Sequence, residues 1–357
     1  MDIQVIDLAN PLWLKTLQKL SYDVYHLPEY VYLESQRTQS IPEAILMVDG
    51  EKIFFLPYLL RRCDDLFDGE FAIPEVFDVV SPNGYAGFLL SEAAANTPDF
   101  LNLALEKLKS VFFSKSVCSA FLRLHPILNQ NFNEVLASKF CQVSGETISI
   151  DLSLSTMEIW QQTRPEHRTY INRCKRDGFT AKMVKFEDYI DQFIDIYTET
   201  MERVEAKKYF HFDYKYFASL ANLNENIHLC ILELNNQVAC AGIFTECCEI
   251  VQYHLGGTKN EFLKQAPSKL MFDYVRFWAK ERGNKFLHLG GGVGAAKDSL
   301  YNFKAGFSKQ RHPLLTLRLI TDEAKYIHLV ELQAKSLKTE PQTLLKSHFF
   351  PAYRSLN

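Results

Sequence analysis

The chain has 357 residues, 47% of them hydrophobic and 23% charged, so it can bury a sizeable core and is not a disordered chain. At about 100–200 residues per domain, this length predicts two domains. The formal net charge of −4 offers no overall basic surface for duplex nucleic acid.

Eight cysteines are present, none in a C-x-x-C pair, so zinc spacing is absent. Most lie among apolar neighbours, as in Leu229-Cys230-Ile231, and read as reduced, buried thiols, a cytosolic pattern. Cys247-Cys248 lacks any recognisable Cys-His-Asn arrangement and is not read as a nucleophile. The N-terminus has no basic region followed by an apolar stretch, and no run approaches the roughly 20 apolar residues of a membrane helix. The expectation is a cytoplasmic protein with no membrane span and no metal.

Along the chain, Ala44–Val48 and Lys52–Leu60 flank Asp49-Gly50, a hairpin signal. Arg61–Val80 reads as an insertion, its acidic stretch (Asp64, Asp65, Asp68, Glu70) a solvated loop. Tyr85–Leu90 reads as a strand. Thr97-Pro98-Asp99 then opens a helix, with Thr97 as N-cap and Pro98 at its first position, striped by Leu101, Ala104, Leu105, Leu108, Val111 and Phe112. Phe121–Leu124 is the strand after it.

Ser155-Thr156-Met157-Glu158 fits a capping box, and Pro165 starts a helix through basic residues towards Gly178. Ile190, Phe193, Ile194, Tyr197, Met201 and Val204 mark the stripe of a longer helix. Then the earlier order returns. Ile227–Leu234 and Val238–Phe244 flank Asn235-Asn236, and Glu249–Leu255 is the next strand. A helix opens at Pro267 and Ser268 and stops at Gly283, and Lys285–Leu289 follows as a strand. Hairpin, strand, helix, strand therefore occurs twice. Leu314–Ile320 is the last strand, and a helical pattern begins beyond Asp322.

Three stretches of the second half carry candidate chemistry. Tyr253-His254-Leu255-Gly256-Gly257-Thr258 ends a strand in two glycines shortly before a helix start. A strand splayed there would offer free N–H groups to a developing oxyanion, and the helix start would favour phosphate, helped by Ser268 and Lys269. An ordinary strand–loop–helix link is the plain alternative. Leu289-Gly290-Gly291-Gly292-Val293-Gly294-Ala295 matches G-x-G-x-x-A, but no clear helix follows it, which argues against a dinucleotide site. In Tyr301-Asn302-Phe303-Lys304-Ala305-Gly306-Phe307, Lys304 would contact a phosphate or the reacting carbonyl. Upstream, the basic run Arg164–Arg176, with Arg168 and Arg173, would grip an anionic substrate, although Arg168, Arg173 and Arg176 do not share one helical face. Glu202, Glu205, Lys207, Lys208, Tyr209 and His211 read either as acceptor contacts or as a polar helix end.

The run from Tyr253-His254-Leu255-Gly256-Gly257 through Trp278–Gly283 to Leu289-Gly290-Gly291 and Phe303-Lys304-Ala305-Gly306-Phe307 resembles the Fem-type branch of the GNAT acyltransferase superfamily. So do Asp23–Tyr30 and Ser81–Gly87, and the resemblance covers most of residues 20–320. That branch includes peptidoglycan bridge-forming aminoacyltransferases and acyl-CoA-dependent relatives. The resemblance implies an α/β fold with mixed sheets and two tandem GNAT-like domains: residues 1–150, then 151–325 with the acyltransferase site, then a partly helical tail, 326–357. It places Lys304, His254 and Tyr253 as catalytic residues. Gly256, Gly257, Thr258, Ser268, Lys269 and Phe303 would bind the donor. Arg168, Arg173, Tyr301 and Gly291 would bind the acceptor. The sequence departs from the family pattern at His288, where many relatives carry an acid, and lacks the pyrophosphate loop Q/R-x-x-G-x-G/A between Gly257 and Pro267.

The activity implied is transfer of an acyl group from acyl-CoA or acetyl-CoA to an amine by direct attack. The acceptor would be a small molecule such as an amino sugar, a nucleotide-sugar or a peptide of envelope synthesis. An aminoacyl-tRNA donor is the alternative, and a non-catalytic binding module on the same fold is the rival from another class.

Overall fold

A computed structural model describes residues 1–67, 75–97, 99–130, 132, 140–347 and 349–355. The strands are β1 (Asp2–Ile6), β2 (Ile41–Asp49), β3 (Lys52–Arg62), β4 (Phe77–Val80), β5 (Leu89–Leu90), β6 (Val117–Arg123), β7 (Cys141–Asp151), β8 (Thr180–Val184), β9 (Ile227–Leu234), β10 (Gln237–Cys247), β11 (Ile250–Thr258), β12 (Phe286–Gly290) and β13 (Arg311–Ile320). The helices used below are α1 (Phe100–Ser114), α2 (Thr156–Gln162), α3 (Pro165–Arg176), α4 (Phe186–Arg203), α5 (Ser268–Glu281), α6 (Ser299–Lys304) and α7 (Glu323–Ser336). Pro98, Asp68 and Glu70, named above, lie outside the described residues, as does the side chain of Asp65.

The chain divides into two compact units, residues 1–144 with 313–357, and residues 145–312. Residues 313–357, expected to finish the second domain and trail off as a tail, fall in the first unit because β13 pairs with β6 through Thr316–Ile320. The chain end is held there too, where the Tyr353 hydroxyl donates to Asp78 Oδ2 at 3.1 Å.

Each unit has the same pairing scheme. In the first, β1–β2, β2–β3 and β3–β4 are antiparallel, β4–β6 is parallel, and β6–β13 is antiparallel. In the second, β8–β9, β9–β10 and β10–β11 are antiparallel, β11–β12 is parallel, and β12–β7 is antiparallel. The last strand of each scheme comes from far along the chain: β13 completes the first unit, and β7, which precedes the rest, completes the second.

Local sequence accounts for many elements. Asn235 and Asn236 both take positive φ (49° and 65°), the left-handed pair that a two-residue hairpin turn needs. Ser155 and Glu158 form a reciprocal capping box on α2. The stripe of α4 buries Ile190, Phe193, Ile196, Tyr197 and Thr200, whereas Val204 lies past the helix end and is exposed. The first unit's core joins Phe54, Leu56 and Tyr58 of β3 to Leu101, Leu105, Leu108 and Phe112 of α1. The second joins Cys230, Cys240 and Phe244 of the sheet to Met271, Phe272 and Val275 of α5.

Two expectations are corrected. The third strand of the first unit is Phe77–Val80, inside the segment read as an insertion, and of Tyr85–Leu90 only Leu89–Leu90 forms a strand. The backbone of the latter segment and of the residues just before it bonds side chains instead: Asn83 O accepts from Tyr30 Oη, Gly87 O faces His26 Nε2, and Phe88 O accepts from Asn129 Nδ2. All eight cysteines are free thiols, seven of them buried. Among the described residues, no helix is long and apolar enough to cross a membrane, and no cluster of acids, histidines and cysteines is arranged to hold a metal ion.

Candidate functional site

The candidate site lies in the second unit, where two parallel neighbours part. β11 pairs with β12 only through Ile250–Gln252 against Phe286–His288. Beyond that, β11 runs on to Thr258 beside β10, while β12 stays with β7 through Gly290. The break coincides with a β-bulge: Phe244 faces Tyr253 and Ile243 faces Leu255, which leaves His254 as the extra residue. Bulges redirect a strand and increase its twist. The opening expected at the glycine pair is therefore placed differently. Gly256 and Gly257 remain in register with Gly242 and Ala241, and β11 parts from β12 rather than from β10.

Lys304 sits where the two strands diverge. It ends α6, is buried, and donates from Nζ to the carbonyl of Gly291, just past β12, at 2.7 Å. The same Nζ lies 5.6 Å from the centroid of the Tyr253 ring, just past the paired part of β11. Burial lowers the Lys304 pKa to about 8, with Asp298 opposing the shift. Asp298 also caps α6, accepting from Tyr301 N at 2.8 Å, and it accepts from Val293 N at 2.9 Å, which closes the glycine loop. The Tyr253 ring packs edge-on against Phe272 at 4.8 Å, and burial pushes its phenol pKa up. An ammonium over an aromatic face, in a desolvated place, is a strong donor to any oxygen that gains negative charge.

Other expected site residues prove to be engaged. A Cβ on Gly257 would lie 2.5 Å from Thr200 Oγ1 and 2.7 Å from the Ile196 carbonyl, so this glycine serves the close approach of α4. The Thr258 N–H, expected to be free, donates to Thr200 Oγ1 at 3.1 Å, and its carbonyl accepts from Arg203 Nη1 at 3.0 Å. Ser268 begins α5, but the N–H groups of Lys269, Leu270 and Met271 donate to the carbonyls of Ala266 and Pro267. Lys269 Nζ is buried 2.9 Å from Glu166 Oε1 and 3.9 Å from the Tyr170 ring centroid. Tyr301 donates to Glu146 Oε2 at 2.7 Å, and Lys297 reaches the same oxygen at 2.9 Å. Those two contacts hold the Glu146 pKa below the usual carboxylate range. Arg173 is exposed and pairs with Asp177 at 3.5 Å, whereas Arg168 is half-buried on α3.

Phe303 packs against Phe272 (5.7 Å), Phe307 (5.5 Å) and His167 (5.6 Å). His167 was not singled out in the sequence, where it stands inside a basic run. Its Nε2 lies 2.9 Å from the Phe303 carbonyl. The signal that could have found it is the glycine of Phe303-Lys304-Ala305-Gly306-Phe307: a Cβ on Gly306 would lie 2.2 Å from His167 Nε2.

No protein-family model matches the chain, and no curated protein sequence does. Solved structures share its fold. FemX is similar with a TM-score of 0.70 at 12% identity, over 91% of this chain and 99% of FemX. L-PGS from Bacillus licheniformis is similar with a TM-score of 0.53 at 14% identity, over 88% of this chain and 93% of that one. The fold is thus mixed α/β and shared with these structures, and its two units repeat one strand scheme, as the order of elements led one to expect.

Proposed function

We propose that this chain is an N-acyltransferase with its reaction centre between the diverging ends of β11 and β12. The observation that carries the reading is Lys304, desolvated and aimed between Gly291 and Tyr253 on a fold shared with FemX. The acceptor amine would attack the donor carbonyl carbon directly, forming C–N as the bond to the leaving oxygen or sulfur breaks. The amine's proton would pass to solvent or to the leaving group. Lys304 would hold the oxyanion, and no covalent enzyme intermediate is needed. Tyr253 would shape the pocket around the acyl group, and His254, at the bulge, is the nearby candidate for proton transfer. The eight free thiols suit a reducing compartment, the cytoplasm.

An acyl-CoA donor fits the net charge of −4, which offers tRNA no overall basic surface. An aminoacyl-ester donor is the second reading, and one observation favours it. The α5 start that would cradle a pyrophosphate has the N–H groups of residues 269–271 already bonded and Lys269 paired with Glu166. The acceptor would be a small amine of envelope synthesis, an amino sugar, a nucleotide-sugar or a peptide, with Arg168 on α3 available to an anionic group. Thermal-shift measurements with acetyl-CoA, longer acyl-CoAs, coenzyme A and aminoacyl-tRNA separate the donors. Stabilisation by a donor that never yields product with any amine would instead favour a binding module.

A further inference from the structure

We propose that His167 is a positioning residue that fixes the Lys304 ammonium through the carbonyl of Phe303. The inference rests on the reading of Lys304 given above, and it concerns what holds that side chain in place.

α6 has only six residues, and so short a helix has little stability of its own. The N-cap and first turn of α3 pin it and the turn that follows it. Arg164 N donates to Gly306 O at 2.8 Å, Arg164 Nη1 donates to Asn302 O at 3.2 Å, and His167 Nε2 donates to Phe303 O at 2.9 Å. The same turn of α3 reaches the start of α5 through Glu166 and Lys269. One turn of helix thus fixes both segments that border the site.

Of these contacts, the imidazole is the one that packing alone does not explain. It is 4% exposed, lies edge-on to Phe307 at 4.8 Å, and has no hydrogen-bond partner for Nδ1 among the described residues. A buried polar atom left without a partner is unfavourable, so a phenylalanine would fill the space at lower cost. What the imidazole supplies, and a phenyl ring does not, is the N–H on the residue next to Lys304. Burial disfavours its protonation, and the charged groups facing it are Arg164 and Glu166 on its own helix and Lys269 on α5. A neutral ring that donates from Nε2 leaves Nδ1 as the bare acceptor, in keeping with its surroundings.

The test needs no substrate. In protein labelled with [13Cε]lysine, the Lys304 signal is assigned by its loss in Lys304→Met and titrated with pH. His167→Phe keeps the ring but removes the donor, and the Lys304 midpoint should rise by about one unit towards the ordinary lysine value. His167→Gln retains an N–H donor and should restore the wild-type midpoint. Gly306→Ala drives a methyl into Nε2 and should reproduce the His167→Phe shift by an independent route, which keeps the test open if His167→Phe fails to fold. An unmoved midpoint in His167→Phe or Gly306→Ala, or a Gln variant that shifts as far as the Phe variant, overturns the proposal. Because the readout is the ammonium itself, this result is separate from the acyl-transfer reading, which fails instead if Lys304→Ala retains full turnover.

Discussion

The two units share one strand scheme and treat the same place in it in opposite ways. In the first, the chain leaving β4 stays tied to β6: Ser81 N donates to Phe121 O at 3.2 Å, and Ser81 Oγ accepts from Arg123 N at 3.1 Å. The following loop lies over a buried polar knot. His125 Nδ1 accepts from Ile127 N and Leu128 N, so its Nε2–H is the donor to Asp23 Oδ2, at 2.8 Å, with both side chains fully buried. Tyr85 packs edge-on to that histidine and to Tyr25. In the second unit, β11 leaves β12 after Gln252, and a desolvated lysine reaches both strand ends, bonding the Gly291 carbonyl and facing the Tyr253 ring. Where the polar groups satisfy one another, the fold gains stability. Where a charge is buried with one carbonyl and an aromatic face, that benefit is absent, and the proposed reading gives the lysine a role in acyl transfer instead.

The sharpest way to break this comparison is Lys304→Ala. Loss of an oxyanion donor typically costs about 10²–10³ in turnover. The linkage sign makes the accompanying stability change diagnostic. The Lys304 pKa is about 8 in the folded chain, below its unfolded value, so the unfolded chain binds more protons between the two. The folded state is therefore penalised at neutral pH and relieved as pH rises past 8. Lys304→Met should melt at or above the wild-type temperature at pH 7 while losing turnover. A large drop in Tm would make Lys304 a structural residue.

Asp23→Ala should do the reverse in the first unit. Leaving the His125 N–H buried without its carboxylate should cost about 2–4 kcal/mol of stability. Turnover per folded molecule should stay at the wild-type level. Denaturant titration with an activity assay on the folded fraction reads both, and a selective loss of turnover would move catalysis towards the first unit.

How far these features could be read in the sequence follows the range of the interactions that make them. Hairpins at Asp49-Gly50 and Asn235-Asn236 and the Ser155 capping box are local, and residue type alone suffices. The exchange of β7 and β13 between the two strand schemes is not local: nothing in Leu314–Ile320 says that its partner is β6. Phe77–Val80 escaped notice beside an acidic stretch, and Tyr85–Leu90 imitated a strand because aromatic and apolar residues also suit a loop packed on rings. At the candidate site, Lys304 is marked by its place between aromatics and Tyr253 by the glycine pair that ends its strand. The engagement of Thr258 by Thr200, and of Lys269 by Glu166, depends on helices docking from elsewhere.

Acid separates the units further. Burial holds the His26 pKa near 4, with His125 adding to the shift and Asp23 partly opposing it. A histidine lowered from about 6.5 contributes stability above that pH and loses it as pH falls towards 4. In the second unit, burial alone would raise the Glu246 pKa, but hydrogen bonds from His228, Arg282 and Asn284 outweigh it and hold the carboxyl near 2. Its contribution is present above the unfolded carboxylate value of about 4.3, falls as pH drops below that, and is gone once pH has passed through 2. Hydrogen exchange followed by mass spectrometry should therefore show the first unit losing protection between about pH 6 and 4 while the second keeps its own.

The smallest effect expected is that of Glu246→Gln. It retains the shape and one acceptor oxygen but removes the charge that Arg282 approaches to 2.8 Å and Asn284 Nδ2 to 2.6 Å. The group is largely buried, so the loss should be about 1–3 kcal/mol at pH 7. The difference from wild type should shrink as pH falls from about 4 towards 2, because the wild-type carboxyl then becomes neutral as well. Melting curves of both proteins across that range measure it. If the two curves stayed a constant distance apart down to pH 2, the substitution would act through packing, and the acid resistance of the second unit would need another source than this carboxylate.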